Sequence, residues 1–155
     1  MESHLIRIGL ISDTHGLLRP EAVAVLAGCA KILHAGDVGK PEVLSELQRV
    51  APLQAIAGNV DQGHWAAELP QMLDVVIAGV RIHMLHDLNT LAADVAADVI
   101  VSGHSHKPLV HKRDGVLYVN PGSAGRRRFS LPISVGLLWL GDGAPRAELC
   151  VLEVR

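Results

Sequence analysis

Residues 5–16 read Leu-Ile-Arg-Ile-Gly-Leu-Ile-Ser-Asp-Thr-His-Gly, an apolar run that ends in a polar turn. A run of this length and composition, bounded by turn residues, predicts a buried β-strand over residues 5–11. Asp13 and His15 follow it two positions apart, so both side chains can leave an extended segment on the same side. This stretch predicts a sheet whose first strand delivers two polar side chains to one end.

Four later segments repeat the arrangement of a strand followed by polar residues. Residues 31–34, 53–57, 80–85 and 98–101 are predicted strands, and each is followed within a few positions by Asp, Asn or His. The carboxyl ends of strands line the ligand crevice of α/β sheets, so residues far apart in sequence meet there. The side chains that this predicts at one site are Asp13, His15, Asp37, Asn59, His86, His104 and His106.

These residue types suit a metal centre. Taken singly, each cluster has an ordinary explanation as a cap or a turn, but five such clusters at strand ends favour a shared site. Asp, His and Asn donors without a thiolate suit Mn²⁺, Fe, Co²⁺ or Zn²⁺. Gly36, Gly58 and Gly103 each precede a proposed ligand, and the missing Cβ lets the backbone approach closely. Cys29 and Cys150 lie among apolar residues and are interpreted as reduced core thiols.

Three helices are predicted, two among the early strands and one after the hairpin at residues 75–85. Pro20 opens the first, at a position where the missing N–H is harmless, and Gly28 ends it. Pro41 opens the second, in which apolar residues share one face. Residues 91–97 are predicted as the third helix.

The second half of the chain is rich in predicted hairpins. A parallel first half and a hairpin-rich second half predict an α/β fold of two sheets packed face to face with helices outside, and the alternative is a single doubly wound sheet. We expect one domain over residues 1–155. Residues 75–78 and 80–85 are predicted to form a hairpin with its turn at Gly79, and the other predicted strands after it are residues 109–112, 116–119, 134–140 and 147–154.

Composition restricts the function classes. The formal net charge is −2, so the chain has no general basic field that would hold nucleic acid, and its strongest positive cluster is Arg126-Arg127-Arg128. The first residues do not resemble a signal peptide. No apolar stretch reaches the roughly 18 residues that a membrane span needs, so we expect a cytoplasmic protein without membrane association.

The strand-end motifs stand in the order Asp13-Thr14-His15, Gly36-Asp37, Gly58-Asn59-Val60-Asp61, His86 and Gly103-His104-Ser105-His106. This series resembles that of the calcineurin-like metallophosphoesterases, over about Ile8 to Leu140. The later Asn120-Pro121-Gly122-Ser123 resembles the YfcE-like branch of small phosphodiesterases. The resemblance implies the metallo-dependent phosphatase fold, a four-layer α/β/β/α sandwich of two mixed sheets.

The resemblance also implies a role for each ligand. Asp13, His15 and His106 would bind one metal ion, Asn59, His86 and His104 would bind a second, and Asp37 would bridge both. Catalytic roles are implied for Asp37, Asn59 and His104. The implied cofactors are two divalent ions per chain, manganese first, with iron, cobalt, nickel or zinc as alternatives.

The implied activity is hydrolysis of a phosphodiester by in-line attack of a hydroxide that bridges the two ions. Two ions bring four positive charges, while two carboxylates and a hydroxide remove three, so about one positive charge is left for the phosphate. The expected partner is a small phosphorylated substrate, with a nucleotide-like phosphodiester as one option. Stable nucleic-acid binding is not expected. The sequence does not decide between a monomer and a homo-oligomer.

This sequence departs from the family pattern at three places. Val60 stands where many larger members carry a histidine that helps to protonate the leaving group. Asp87 follows His86, where glycine is common, and Arg126-Arg127-Arg128 is more basic than this loop usually is. Asp61 is interpreted as a residue that orients a ligand or closes the turn.

The remaining histidines are predicted to have structural or surface positions. His34 is interpreted as a satisfied core residue or a partner of a ligand, and His83 as structural or exposed. His64 is interpreted as a surface residue, and His4 and His111 are predicted to face solvent.

Two other function classes remain as alternatives. One is a catalytically weak metal-binding scaffold that mediates protein–protein interaction, as in a trafficking subunit of this fold that has lost part of the ligand set. The other is a DNA nuclease like the larger members of the family, for which the chain is short and its net charge of −2 unsuitable. The complete ligand set favours the enzyme.

Overall fold

Strand β1 (Ile6–Ile11) lies in the middle of the first of two five-stranded sheets in the computed structural model, which describes residues 5–154. On one side it pairs in parallel with β2 (Lys31–His34), which pairs in parallel with β3 (Leu53–Ala55). On the other side it pairs antiparallel with β9 (Ser134–Leu140), and β10 (Arg146–Val151) completes the sheet. The carboxyl ends of the three parallel strands therefore lie at the same end of the sheet.

The second sheet has the same mixed design. Strands β5 (Val80–Leu85), β6 (Val99–Val101) and β8 (Val116–Asn120) are parallel neighbours at its centre. Strands β4 (Met72–Ile77) and β7 (Leu109–Arg113) form its outer edges and pair antiparallel with β5 and β8. Both outer pairs are hairpins, as the sequence predicts.

The two sheets face each other across a core of aliphatic side chains. In β6, Val99 and Val101 point into this core and Ile100 points to the opposite face, as the two-residue period of a strand requires. This packing confirms the predicted α/β fold of two mixed sheets and excludes the single doubly wound sheet. The buried residues of the core are Ile8, Leu10, Leu33, Ala35, Ile56, Ile82, Met84, Val99, Val101, Leu117, Val119, Leu138 and Leu140.

Two α-helices cover the outer face of the first sheet. Helix α1 spans Pro20–Leu26 and helix α2 spans Pro41–Gln48, and each begins with the proline that predicts it. Their apolar sides pack on residues of β1, β2 and β9. The buried helix side chains are Ala22, Leu26, Val43 and Leu47.

The predicted helix at residues 91–97 is wrong. The chain has a 3-10 helix at Leu88–Thr90 and then runs irregularly. Unlike α1 and α2, this segment has no proline that would fix its first turn, and nucleation is the costly step of helix formation. Leu91, Val95 and Ala97 instead pack directly on the outer face of the second sheet. The layer over that sheet is therefore irregular chain.

Strand ends differ from the predicted ones by a few residues. The third strand stops at Ala55, the hairpin begins at Met72, and the last strand spans Arg146–Val151.

Cys29 is buried and Cys150 partly buried, and both are free thiols. None of the helices within residues 5–154 is long and apolar enough to cross a membrane.

Candidate metal centre

Asp13, His15 and His106 form the first group of candidate ligands. Their ligand atoms all lie within 4.8 Å of one another. Asp13 is fully buried, and its Oδ1 lies 3.3 Å from His106 Nε2 and 3.7 Å from His15 Nε2. The first two residues follow β1 and the third follows β6, so the group joins the two sheets.

Asp37, His86 and His104 form the second group, whose ligand atoms also lie within 4.8 Å of one another. His86 Nε2 lies 3.2 Å from Asp37 Oδ2. The same carboxylate oxygen lies 3.5 Å from the Nε2 atom of His15, a member of the first group. Asp37 therefore faces both groups, which is the position that a bridging carboxylate requires.

Asn59 is the remaining candidate ligand. It is exposed and lines a pocket of about 430 Å³ together with His86 and Asp87. The structure therefore brings six candidate ligands into two adjoining groups and places the seventh on the wall of a pocket that His86 shares.

Backbone conformation marks the same residues. Among residues 5–154, eight non-glycine residues have positive φ angles, and five of them are candidate ligands. Side chains cost roughly 1–2 kcal/mol in this region of the backbone map, and such strain concentrates at functional sites. The five are Asp13 (55°), His15 (47°), Asp37 (56°), His104 (68°) and His106 (63°).

Two glycines bring the ligand loops into contact. A Cβ atom on Gly58 would collide with the carboxylate of Asp37. A Cβ atom on Gly103 would lie 2.6 Å from Asp13 Oδ2. The close approach expected at these glycines is therefore an approach to the side chain of a neighbouring ligand.

The buried polar atoms test whether the site suits a cation. Six buried side-chain nitrogen or oxygen atoms within residues 5–154 have no hydrogen-bond partner, and four of the six belong to candidate ligands. Such atoms are rare because leaving them unsatisfied is costly, so their concentration here fits divalent cations bound by carboxylate and imidazole. The four atoms are Asp13 Oδ1, His15 Nε2, His86 Nε2 and His106 Nδ1.

The close packing of these groups shifts their pKa values. Burial raises the pKa of Asp13, but the neighbouring imidazoles, led by His106, and the hydrogen bond from Ser12 outweigh it and hold the pKa well below its usual range. The neighbouring carboxylate of Asp13 raises the pKa of His15 against the opposing effect of burial. Burial lowers the pKa of His86, but the adjacent carboxylate of Asp37, 3.2 Å from Nε2, leads the effects that raise it above the ordinary value. A metal ion must displace protons from these imidazoles, so metal affinity should fall at acid pH.

Asp61 joins two of the ligand loops. Its carboxylate accepts hydrogen bonds from the backbone N–H groups of Val38 at 3.0 Å and Gly39 at 2.9 Å. It also accepts one from the N–H of Gly58 at 2.9 Å. Asp61 therefore closes its own turn and fixes that turn against the loop that carries Asp37.

His34 forms hydrogen bonds with the loops that carry Asp13 and Asp37. It is fully buried, its Nδ1 accepts a hydrogen bond from Gly36 N–H at 3.1 Å, and its Nε2 donates to Thr14 Oγ1 at 3.0 Å. Burial lowers the pKa of His34 to about 4, so the ring is neutral near pH 7. Since Thr14 stands between Asp13 and His15, His34 is a partner of the ligand loops.

Sequence reasoning assigned no role to three polar side chains that hold the site together. Ser12 Oγ donates to Asp13 Oδ2 at 2.6 Å, and Asn120 Nδ2 donates to the carbonyl of Gly103 at 3.0 Å. Ser123 Oγ donates to the carbonyl of Asp13 at 3.1 Å. Asn120 and Ser123 begin and end the Asn-Pro-Gly-Ser motif, which was the signal available in the sequence.

The three departures from the family pattern all lie at the site. The side chain of Val60 is exposed, while its N–H donates to Asp37 Oδ1 at 3.0 Å. Asp87 Oδ2 lies 3.9 Å from His104 Nε2. Arg126, Arg127 and Arg128 are exposed and line a pocket beside the first group.

The other histidines lie elsewhere in the fold. His83 is buried and lies 2.8 Å from Asp74 through its Nδ1 atom, which makes it structural. His64 and His111 are exposed, as predicted. The prediction for His4 falls outside the residues that the structure describes.

Residues 6–143 match the family described as the calcineurin-like phosphoesterase superfamily domain. The chain therefore belongs to the calcineurin-like phosphoesterase superfamily, and the resemblance read from the strand-end motifs is confirmed.

Similar proteins include enzymes and a protein-sorting component. A probable metallophosphoesterase of Methanothermobacter thermautotrophicus is 35% identical over 140 residues, which are 81% of each chain. The structure of YfcE, a phosphoesterase from E. coli, superposes with a TM-score of 0.70 at 21% identity, over 96% of this chain and 100% of that one. Vacuolar protein sorting 29 from Cryptosporidium parvum superposes with a TM-score of 0.77 at 20% identity, over 97% and 99%. At such identities the two structures show the shared fold.

Proposed function

We propose that this protein is a phosphodiesterase whose seven candidate ligands hold two divalent metal ions. The first group would hold one ion, Asn59, His86 and His104 would hold the other, and Asp37 would contact both. The observation that supports this most directly is the concentration of unpartnered buried atoms on the candidate ligands. A surface that served only to bind another protein would gain nothing from keeping buried polar atoms unsatisfied.

Ions held by these residues would activate water near neutral pH and would stabilise the negative charge on the phosphoryl oxygens. The residues of the chain determine where the phosphate can sit. The side chain of His104 is 43% exposed and Asn59 is exposed, so both lie within reach of a substrate, whereas His106 is buried and can only hold its ion. Asp37 sets the spacing of the two groups. Together with Asn59 and His104 it would have a catalytic role, because these three residues would lie next to the reacting phosphate.

The charge balance favours a diester over a monoester. Two ions, two carboxylates and one hydroxide leave about one positive charge, because the remaining ligands are neutral imidazoles and an amide. A phosphodiester carries one negative charge near pH 7, while a monoester carries nearly two. A diester therefore neutralises the site without leaving surplus charge in it.

The test is hydrolysis of bis(p-nitrophenyl) phosphate by protein that has been stripped with a chelator and then supplied with Mn²⁺. We expect activity that depends on the metal and exceeds that on p-nitrophenyl phosphate, the matched monoester. Absence of hydrolysis with Mn²⁺, Fe²⁺, Co²⁺, Ni²⁺ and Zn²⁺ alike would overturn the proposal and favour the scaffold.

A further inference from the structure

The single phenylalanine of the chain lies in an unusual place. Phe129 is 88% exposed, and its backbone has a positive φ of 54°. The other positive-φ residues that are not candidate ligands, Ala78 and Asp114, each precede a glycine in a hairpin turn. Phe129 instead occupies the second position of a turn that the N–H of Leu131 and the carbonyl of Arg128 close at 3.1 Å, and three arginines precede it directly. We call residues 126–130 the arginine loop.

The base of the arginine loop is fixed to the metal centre. Ala124 N–H donates to the carbonyl of Ser12 at 3.0 Å, beside the bond from Ser123 to Asp13. Arg19 Nε donates to the carbonyl of Gly125 at 2.9 Å. The loop therefore leaves the fold at a fixed position next to the ligands that follow β1.

The arginines and two candidate ligands share one pocket. Its volume is about 230 Å³, and its lining consists of His15, His106 and the three arginines. Within residues 5–154, no carboxylate lies within 4.0 Å of a nitrogen of any of these guanidinium groups. Their only side-chain hydrogen bond within those residues joins Arg127 to the carbonyl of Leu131 at 3.3 Å. The pocket is therefore a concentration of uncompensated positive charge beside the metal centre.

We propose that the arginine loop recognises a second phosphate and the base of the substrate, so that the substrate class is small nucleotide phosphodiesters that carry a further phosphate. This assignment rests on the proposed function. A guanidinium binds phosphate through paired, charge-assisted hydrogen bonds. An exposed aromatic ring next to it offers a stacking surface for a base. A diester without the second phosphate uses only the metal centre and leaves the arginines unpaired.

The test compares two matched substrates, dithymidine monophosphate with and without a 5′-phosphate. We expect kcat/KM of the Mn²⁺-loaded protein to be about tenfold or more higher for the 5′-phosphorylated dinucleotide. Arg128→Gln should remove this preference, and Phe129→Leu, which keeps an apolar side chain without the ring, should lower kcat/KM for both dinucleotides. Arg49→Gln, an exposed arginine at the end of α2, is the control with the same charge change and should keep the wild-type preference.

Failure of this inference is distinguishable from failure of the proposed function. If wild-type protein hydrolyses bis(p-nitrophenyl) phosphate but cleaves the two dinucleotides equally, or if Arg128→Gln keeps the preference, the inference is overturned and the proposed function stands. If no diester is hydrolysed, the phosphate subsite is tested by binding instead. Calorimetric titration compares the affinity of the protein for thymidine 3′,5′-bisphosphate with that for thymidine 5′-monophosphate. Tighter binding of the bisphosphate that is lost in Arg128→Gln supports the phosphate subsite, and equal affinities overturn it.

Discussion

His86 Nε2 and Asp37 Oδ2 lie 3.2 Å apart, and His86 Nε2 has no hydrogen-bond partner. The Nδ1 atom of His86 lies 2.8 Å from the carbonyl oxygen of Ala35, which can only accept, so Nδ1 carries the hydrogen. A neutral ring then has no hydrogen on Nε2, and two acceptors at this distance need a proton or a cation between them. The contact accounts both for the raised pKa of His86 in metal-free protein and for its suitability as a metal ligand.

The first prediction concerns Asp37. Asp37→Asn keeps the shape of the side chain but removes the charge that would hold two cations together. We expect kcat/KM for bis(p-nitrophenyl) phosphate to fall by more than about a hundredfold. The control is Asp114→Asn, the same change in an exposed hairpin turn, which should retain wild-type activity and stability. Near-normal turnover of Asp37→Asn would show that the centre has been placed wrongly.

The second prediction concerns the number of ions. Two ligand groups that share one carboxylate should take up two Mn²⁺ ions per chain, measured by elemental analysis after reconstitution and desalting. His106→Gln removes a buried ligand of the first group and should reduce the content to about one ion. His111→Gln, which changes an exposed histidine of β7, is the matched control and should keep two. A wild-type content of one ion or fewer would contradict the dinuclear site.

The third prediction concerns the proton donor. The side chain of Val60 is 47% exposed beside the centre but cannot donate a proton, and the carboxylate of Asp61 is occupied by three backbone N–H groups. A positioned general acid contributes about 10²–10⁴ in rate, most for basic leaving groups. A plot of log kcat against leaving-group pKa for aryl phosphodiesters should therefore slope steeply downward.

Val60→His should flatten that slope if the new imidazole reaches the leaving oxygen. Val76→His is the control, because Val76 is an exposed valine of β4 away from the ligand groups. A flat dependence in the wild-type protein would show that another side chain already donates. His64 would then be tested first, because His34 is fully buried with both ring nitrogens in hydrogen bonds.

The fourth prediction concerns stability against pH. Burial lowers the pKa of His34 to about 4 in the folded protein, from an unfolded value of 6.5. Between these values the unfolded chain binds the proton and the folded chain does not, so acidification favours unfolding. In metal-free protein, the free energy of unfolding should fall by about 1.4 kcal/mol more per pH unit than in His34→Gln over this range.

Urea titrations of both proteins at pH 7, 6 and 5 measure this difference, and parallel curves would contradict it. Below pH 4 the two proteins should respond alike, because the histidine is then protonated in both states of the wild type.

The features that can be predicted from the sequence are those that a local pattern of residues determines. Each parallel strand carries its own apolar run and terminal ligands, so the strand at Lys31–His34 was predicted at the residues where it lies. The segment at residues 91–97 has helix-like spacing but no capping proline, and packing on the second sheet determined its course. The three bonds to Asp61 and the hydroxyl of Ser123 on Asp13 depend on tertiary folding, which no local pattern encodes.

The order in which the chain is synthesised matters for its metal. Asp13 emerges early, yet the N–H and hydroxyl groups that fix its carboxylate and carbonyl belong to His104 and Ser123, 91 and 110 positions later. Closing loops of that length costs entropy. In a nascent chain the carboxylate of Asp13 and the imidazole of His15 are therefore present but are not yet held in the positions that they have in the folded protein. If the candidate ligands hold metal as proposed, the free energy of metal binding would contribute to folding only once both sheets have docked. Retention of metal should therefore report on completed folding, and chains that end before Ser123 should lose their ions readily to a chelator.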